Sequence, residues 1–448
     1  MYSAPRQARP ECSKALSEIQ GIVSSDYANF PFMSCLLVHI ESPNQALRLL
    51  QQVRNQISFS DVLSKSSDGR LNLGLTWEGL HRLDGEVLTK GAELFKREFR
   101  EGMVTPHRQK ILGDLSHSPS APSNWFWGQG ETKKVHLALL IYELTAEKRD
   151  ARVNEILESP GIDLVDHGRI DSAQLKNGKE HFGFRDGISQ PWLKELNSPG
   201  AISDEVAWGE IVLGYQDNSG VIERHPEIAL NGSYLVVRQI EQDVEGFWKS
   251  VGGVNGDPIA VAAKQMGRWP DGTPITLEPN RAKNRPTNDF DFLSDEQGLK
   301  CPVGAHIRRC NPREGTERAV GKKDRHRILR RGRAYGPAAP AEFFPAALRS
   351  DVSTDNRHNG ESRGLLFMCL NANFERQFEF IQNNWINGKM GTLSDELDPV
   401  ASQINFETFT IPATPIRKRC TRPYSNVKTV GGGYFFLPSR TTLEKIIT

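Results

Sequence analysis

The feature that most constrains the fold is a recurring pair: an apolar run of seven to nine residues, then an amphipathic or polar stretch. Residues 32–40, FMSCLLVHI, read as a buried strand, and Pro43 then opens a helix, ALRLLQQVRNQI, with leucines at helical spacing. LNLGLTW at 71–77 is a second strand that passes into a short helix, WEGLHRL. VHLALLIYE at 135–143 is the clearest buried strand of this half, and a helix follows over 145–159, with Thr145 an imperfect cap. In the second half, strands are predicted at 210–213 (EIVL), 232–240 (GSYLVVRQI) and 364–371 (GLLFMCLN). Residues 251–291, rich in turn signals such as Pro270 and Gly272, read as an insertion with local helices. FERQFEFIQNNW at 374–385 is an amphipathic helix with aromatics on one face, and the end reads as a Gly-rich turn, a strand and a capped helix. Such alternation predicts a layered α+β fold in which helices cover one face of each sheet. The polar first 30 residues are expected to form a loose arm.

At 448 residues the chain exceeds one ordinary domain, so two are expected. The formal net charge of +1 gives no general attraction for nucleic acid. No apolar run approaches the ~20 residues of a membrane span, and MYSAPRQARPECSK lacks the apolar core of a secretion signal, so a cytoplasmic location without membrane contact is expected. The six cysteines are dispersed with no CxxC pair, which predicts free buried thiols.

Against this neutral background, residues 301–336 gather eleven lysines and arginines around His306. Cations that turn inward need partners. Three satisfy the chemistry: protein carboxylates, nucleic-acid phosphates, or the propionates of a haem whose iron is held by His306. For the haem, Asp398 in DELDPV is a candidate acceptor for the second ring N–H of His306, and Arg308 and Arg309 are candidates for the propionates. The absence of interleaved aromatics argues against base stacking. Upstream, GFRDG places Asp186 between two glycines, as either a turn carboxylate or one held rigidly at a cavity edge.

These segments together resemble the dye-decolorizing peroxidase family, in its longer-chain members. The matches run in family order: GFRDGISQP at 183–191, GAHIRRCNPR at 304–313, ILRRGRAYG at 328–336, GLLFMCLNANFERQFEFIQNNW at 364–385, DELDP at 395–399 and GGGYFFLPS at 431–439. The resemblance implies two ferredoxin-like α+β domains with mainly antiparallel sheets, at 31–175 and 176–448, behind an arm at 1–30. It implies haem b in the second domain, His306 as the axial iron ligand, and Asp398 as its hydrogen-bond partner. Asp186 matches the distal acid and base, Arg330 the distal arginine, and Leu365 and Phe367 apolar positions on the distal wall. The implied reaction is reduction of hydrogen peroxide through a ferryl intermediate, with bulky dyes or phenols as reductants. Trp192, Trp385 and Tyr335 are candidate electron relays, but each is read in preference as an ordinary core aromatic, and none is assigned to the site. A haem-delivery protein with incidental peroxidase activity is the competing expectation; the oligomeric state is left open.

Overall fold

The apolar runs become strands of one continuous sheet in the computed structural model, which describes residues 10–61, 69–83, 91–129, 133–194, 196, 204–252, 256–278, 280, 283–313, 323–355, 361–389, 395–404, 408–421 and 425–447. Residues 314–322 of the basic segment lie outside the described residues. Nine strands make the sheet: β1 (Phe32–Ile40), β2 (Arg70–Leu75), β3 (Leu137–Glu143), β4 (Ile162–Ala173), β5 (Ser233–Gln242), β6 (Leu329–Arg330), β7 (Arg333–Tyr335), β8 (Gly364–Asn371) and β9 (Val427–Leu437). In the first half the order is β4-β1-β3-β2; in the second it is β9-β5-β8, with β6 and β7 both on the far edge of β8. Both are the antiparallel 4-1-3-2 arrangement of a ferredoxin-like unit. Phe436 opposite Leu75 joins the two halves at one edge, and Ser172 opposite Tyr335 joins them at the other. The sheet thus closes on itself and leaves few open edges.

Closure explains the unbroken apolar runs. Leu36, Val38, Leu73 and Leu139 point outward, under helices Pro43–Val53 and Ala146–Leu157, where Leu49, Leu50, Val153 and Ile156 meet them. Cys35, Leu37, Leu140 and Tyr142 point inward and pack with Leu235, Val237, Leu366 and Phe435 of the other half. With both faces covered, the usual polar–apolar alternation disappears. Thr145 does cap its helix, accepting the Lys148 N–H at 3.3 Å.

Three expectations are corrected, and one strand is added. The first residues are not a loose arm from Pro10 on: they form helices Pro10–Glu18 and Gly21–Ser24. Ile19, Ile22 and Val23 enter the inner core, and the buried Gln20 amide donates to Leu73 and Pro438 carbonyls at 2.9 and 3.1 Å. Residues 210–213 are a turn rather than a strand, because Glu210 is tied down by Arg376 at 2.7 Å and by the Asn218 N–H at 3.0 Å. Gly431, Gly432 and Gly433 lie inside β9, not in a turn; a side chain at Gly431 would enter the Trp127 indole that packs flat on the strand. β4 was not expected at all, since Asp163, Asp166, Arg169 and Asp171 on it disguise the strand. Among the described residues no helix is long and apolar enough to cross a membrane.

Candidate active site

The outer face of the second half-sheet is where the site forms. The period of two that sends Leu235 and Val237 inward sends Arg238, Ile240 and Gln242 outward, beside Leu365 and Phe367 of β8. These walls, with Phe378, Ile381, Gln382 and Ile386 from the helical segment 375–386, enclose a cavity of about 270 Å³. That segment was expected to be an ordinary amphipathic helix. Its bonds instead run over five residues, Glu379 N–H to Phe374 and Asn387 N–H to Gln382, a wider winding found often at functional sites.

On one side stands His306, the first residue of the short helix His306–Cys310. Its Nδ1 bonds Asp398 Oδ2 at 2.9 Å, while the other oxygen of that fully buried carboxylate accepts the Val400 and Ala401 N–H groups at 2.9 and 2.8 Å. No described residue bonds Nε2, and His306 lines the cavity. Burial opposes charge on the ring, but the Asp398 carboxylate outweighs it and holds the imidazole pKa well above its ordinary value. Asp398 moves the other way: burial raises it, but His306 and Arg309 hold it below the usual carboxylate range. Cys310, one helical turn on, brings its Sγ to 3.6 Å from Nδ1.

Asp186 and Arg330 meet in the same cavity. Asp186 sits at the end of a hairpin, residues 178–187, in which Lys179 pairs with Arg185 and the Asp186 N–H bonds the Gly178 carbonyl at 3.1 Å. Gly183 at φ +91° and Gly187 at φ +79° take left-handed turns that other residues resist. Arg330 Nη1 donates to Asp186 Oδ1 at 2.7 Å, Nη2 to the Ser189 carbonyl at 3.2 Å, and the Gly187 N–H adds a bond at 2.6 Å. Burial alone would raise the Asp186 pKa; the Arg330 charge and hydrogen bond overcome it and keep the carboxyl below its usual range. Strand alternation separates the two neighbouring arginines. Arg331 points to the inner side and donates to the Ile22 and Val23 carbonyls at 2.7 and 3.0 Å.

Arg308 and Arg309 require a correction: neither lines the cavity, and both are fully buried elsewhere. Arg308 lies over Phe292, donates to the Cys301 carbonyl at 2.7 Å and reaches Asp295 at 3.3 Å. Arg309 donates to the carbonyls of Trp385 (2.6 Å), Glu396 (3.0 Å) and Gly388. On a helix the second position beyond His306 points away from its face, while the third and fourth lie beside it, so distant carbonyls rather than helical phase draw Arg309 away. Arg309 thus ties the His306 helix to the loop that carries Asp398. Replacing Arg309 by Leu leaves those carbonyls unpaired at about 1–3 kcal/mol each, so chemical denaturation should show a loss of several kcal/mol.

Besides Arg330, the arginines that line the cavity are Arg185, Arg238, Arg268, Arg313 and Arg327. Arg268 and Arg313 share the Asn288 side-chain oxygen, and Arg327 pairs with Asp204 at 2.7 Å. Burial, reinforced by Arg313 and Arg330, pushes Arg268 down to about 9; burial likewise pushes Arg313 down to about 10. Crowded buried cations with one carboxylate among them favour an added anion. Arg313 and Arg327 lay within the basic segment, but nothing local in sequence separated them from Arg308 and Arg309. Arg268 comes from the insertion and carried no signal.

A single axial-type imidazole, an apolar slot and a carboxylate–guanidinium pair define a haem-peroxidase type of site on a doubled ferredoxin-like fold. The model of the Dyp-type peroxidase C-terminal region matches residues 213–413. The chain is 30% identical over 449 residues to the dye-decolorizing peroxidase msp1 of Mycetinis scorodonius, covering 93% of this chain and 81% of that one. It is 31% identical over 329 residues to the multifunctional dye peroxidase DyP2 of an Amycolatopsis strain, covering 66% of each. A solved structure of an ancestral D-type dye decolorizing peroxidase shares the fold, with a TM-score of 0.79 at 24% identity over 97% of this chain and 99% of that one. The chain belongs to the DyP-type peroxidase family.

Proposed function

We propose that the chain reduces hydrogen peroxide in this cavity and draws the electrons from bulky aromatic donors such as dyes and phenols, with haem b as its resident group. The observation that carries the reading is the Asp186–Arg330 pair, set in the same cavity as His306. The residues fit such a group. Leu365, Phe367, Phe378 and Ile386 offer apolar walls, His306 keeps Nε2 uncommitted, and Arg268, Arg313 and Arg327 supply an edge suited to two propionates.

Bound there, haem supplies an iron centre that accepts the oxidising equivalents of peroxide and passes them on singly. Asp398 accepts the Nδ1 proton, so that Nε2 presents its lone pair to the cavity and becomes more basic. Asp186, kept ionised by Arg330, takes the proton from one peroxide oxygen and returns it to the other, so that water can leave. Arg330 donates hydrogen bonds to the negative charge that gathers as the O–O bond lengthens. Leu365 and Phe367 keep competing water away from this exchange. A haem-delivery protein would have no use for a proton carrier held at a fixed guanidinium, which favours the enzyme.

Exchanging each arginine in turn tests the assignment. Arg330→Leu should slow the peroxide reaction by about 10²- to 10³-fold in stopped flow, whereas Arg331→Leu should leave its rate nearly unchanged and lower stability. The pH profile gives an independent sign. Through Asp186 itself, the native rate is lost as pH falls through the lowered Asp186 pKa. In Arg330→Leu burial has lost its main opponent, so the acid limb should move to higher pH. An acid limb that stays in place would count against the pair.

A further inference from the structure

Glu180 is a titratable group on the wall of the cavity that the steps above do not use. It also lines a smaller side passage of about 150 Å³ that runs past Asp186, Arg330 and Leu365. Its side chain folds back on its own hairpin. Oε2 accepts the Phe182 N–H at 2.9 Å and Oε1 the Phe184 N–H at 3.0 Å. Its backbone closes the same turn: Glu180 N–H to the Phe184 carbonyl at 2.9 Å and Gly183 N–H to the Glu180 carbonyl at 2.8 Å. From β5, Gln242 Nε2 adds a third donor at 2.6 Å, so the carboxylate pins the hairpin to the sheet.

This turn ends two residues before Asp186. We propose that Glu180 is a positioning residue for Asp186: its carboxylate clamps the hairpin that carries the proton carrier, and the grip is firm only while that carboxylate is charged. The inference rests on the role given to Asp186 above. Three N–H donors converge on two oxygens that can accept all of them when ionised. A proton on either oxygen adds a donor where three already converge and removes the charge that strengthens these bonds, so the grip loosens.

Burial raises the Glu180 pKa to about 7, with the Asp186 charge adding to it and the donors from Phe182, Gln242 and Phe184 opposing. The change of charge thus falls in the neutral range. Of the charged groups around it, Asp186 bears on this titration, and the others are paired or turned elsewhere. On its own hairpin, Lys179 is paired with Asp351 and Asp186 with Arg330, while Arg185 is exposed. On β5, Glu241 is paired with Lys428. From the segment at 330–333, Arg331 and Arg333 donate to carbonyls of the N-terminal residues, and Asp26 lies across the side passage.

The test compares the haem-loaded native protein with Glu180→Gln, Glu180→Leu and Asp186→Asn. Peroxide reaction rates are read by stopped flow from about pH 5 to about pH 9, and amide exchange of Phe182 and Phe184 is followed in the resting protein. The native rate should rise through a step near pH 7, and Glu180→Gln, whose amide oxygen still accepts but cannot ionise, should lack that step. Glu180→Leu should lose about tenfold or more in rate at every pH and expose both amides to exchange, while Glu180→Gln, whose NH2 group cannot accept, keeps one of them protected. A native-like step in Glu180→Gln overturns the proposal, as does an unchanged rate in a folded Glu180→Leu. If Glu180→Leu does not fold, the step in Glu180→Gln decides. Asp186→Asn separates the two levels: if it reacts at the native rate, the Asp186 assignment itself fails, whatever Glu180 does.

Discussion

Asp186→Asn slows the reaction with hydrogen peroxide by about 10²- to 10⁴-fold, the scale of a lost proton carrier, with haem affinity unchanged. The asparagine matches the carboxylate in size and still offers an oxygen to Arg330 Nη1, so the hairpin and cavity keep their shape. What disappears is a group that can take a proton from one oxygen and return it to the next. Arg330 remains and still stabilises developing charge, which is why the residual rate exceeds that of haem in water. An Asp186→Asn protein that reacts at the native rate would remove this carboxylate from the mechanism.

His306→Ala abolishes or severely weakens haem binding, by well over the roughly 10- to 100-fold that removal of a mere supporting partner costs. The apoprotein still folds, because Arg308 and Arg309 anchor the short helix through carbonyls that the substitution does not touch. The change also alters how apoprotein stability depends on pH. Asp398 is depressed in the folded state, so its contribution is present above the unfolded carboxylate pKa and lost as pH falls through the folded one. His306 is raised, so its contribution is present below the unfolded imidazole pKa and lost as pH rises through the folded one. Together they stabilise the native apoprotein most fully between about pH 4 and about pH 6.5. Thermal melts of His306→Ala apoprotein should lose this plateau. A His-ligated haem spectrum surviving in His306→Ala would move the ligand elsewhere.

The strands were legible where both faces are buried, since Leu36 and Leu37 serve opposite layers and leave an unbroken apolar run. β4 was not, because its charged residues face the solvent side of an irregular pairing with β1, where the register shifts between Leu36 and Val38. The glycines of β9 misled for a related reason: Gly431 is there to admit Trp127, a contact some 300 residues distant that no local rule contains. In the site, His306, Asp398, Asp186 and Arg330 carried motifs of their own; three of them come together in one cavity, with Asp398 buried behind His306. Arg308 and Arg309 were read by proximity in sequence alone; helical phase turns Arg308 from the His306 face, but the carbonyls that capture Arg309 lie 76 and 87 residues away. The choice between Arg330 and Arg331 needed the strand register, which places Arg330 opposite Cys369 on the outer face.

The most direct test is the absorption spectrum of the haem-reconstituted protein before and after stoichiometric hydrogen peroxide, with Asp186→Asn alongside. The account predicts a histidine-ligated ferric spectrum that converts rapidly, returns to its starting form on addition of a phenolic donor, and converts far more slowly in Asp186→Asn. Haem that binds but is only bleached by peroxide, at equal rates in both proteins, would contradict it.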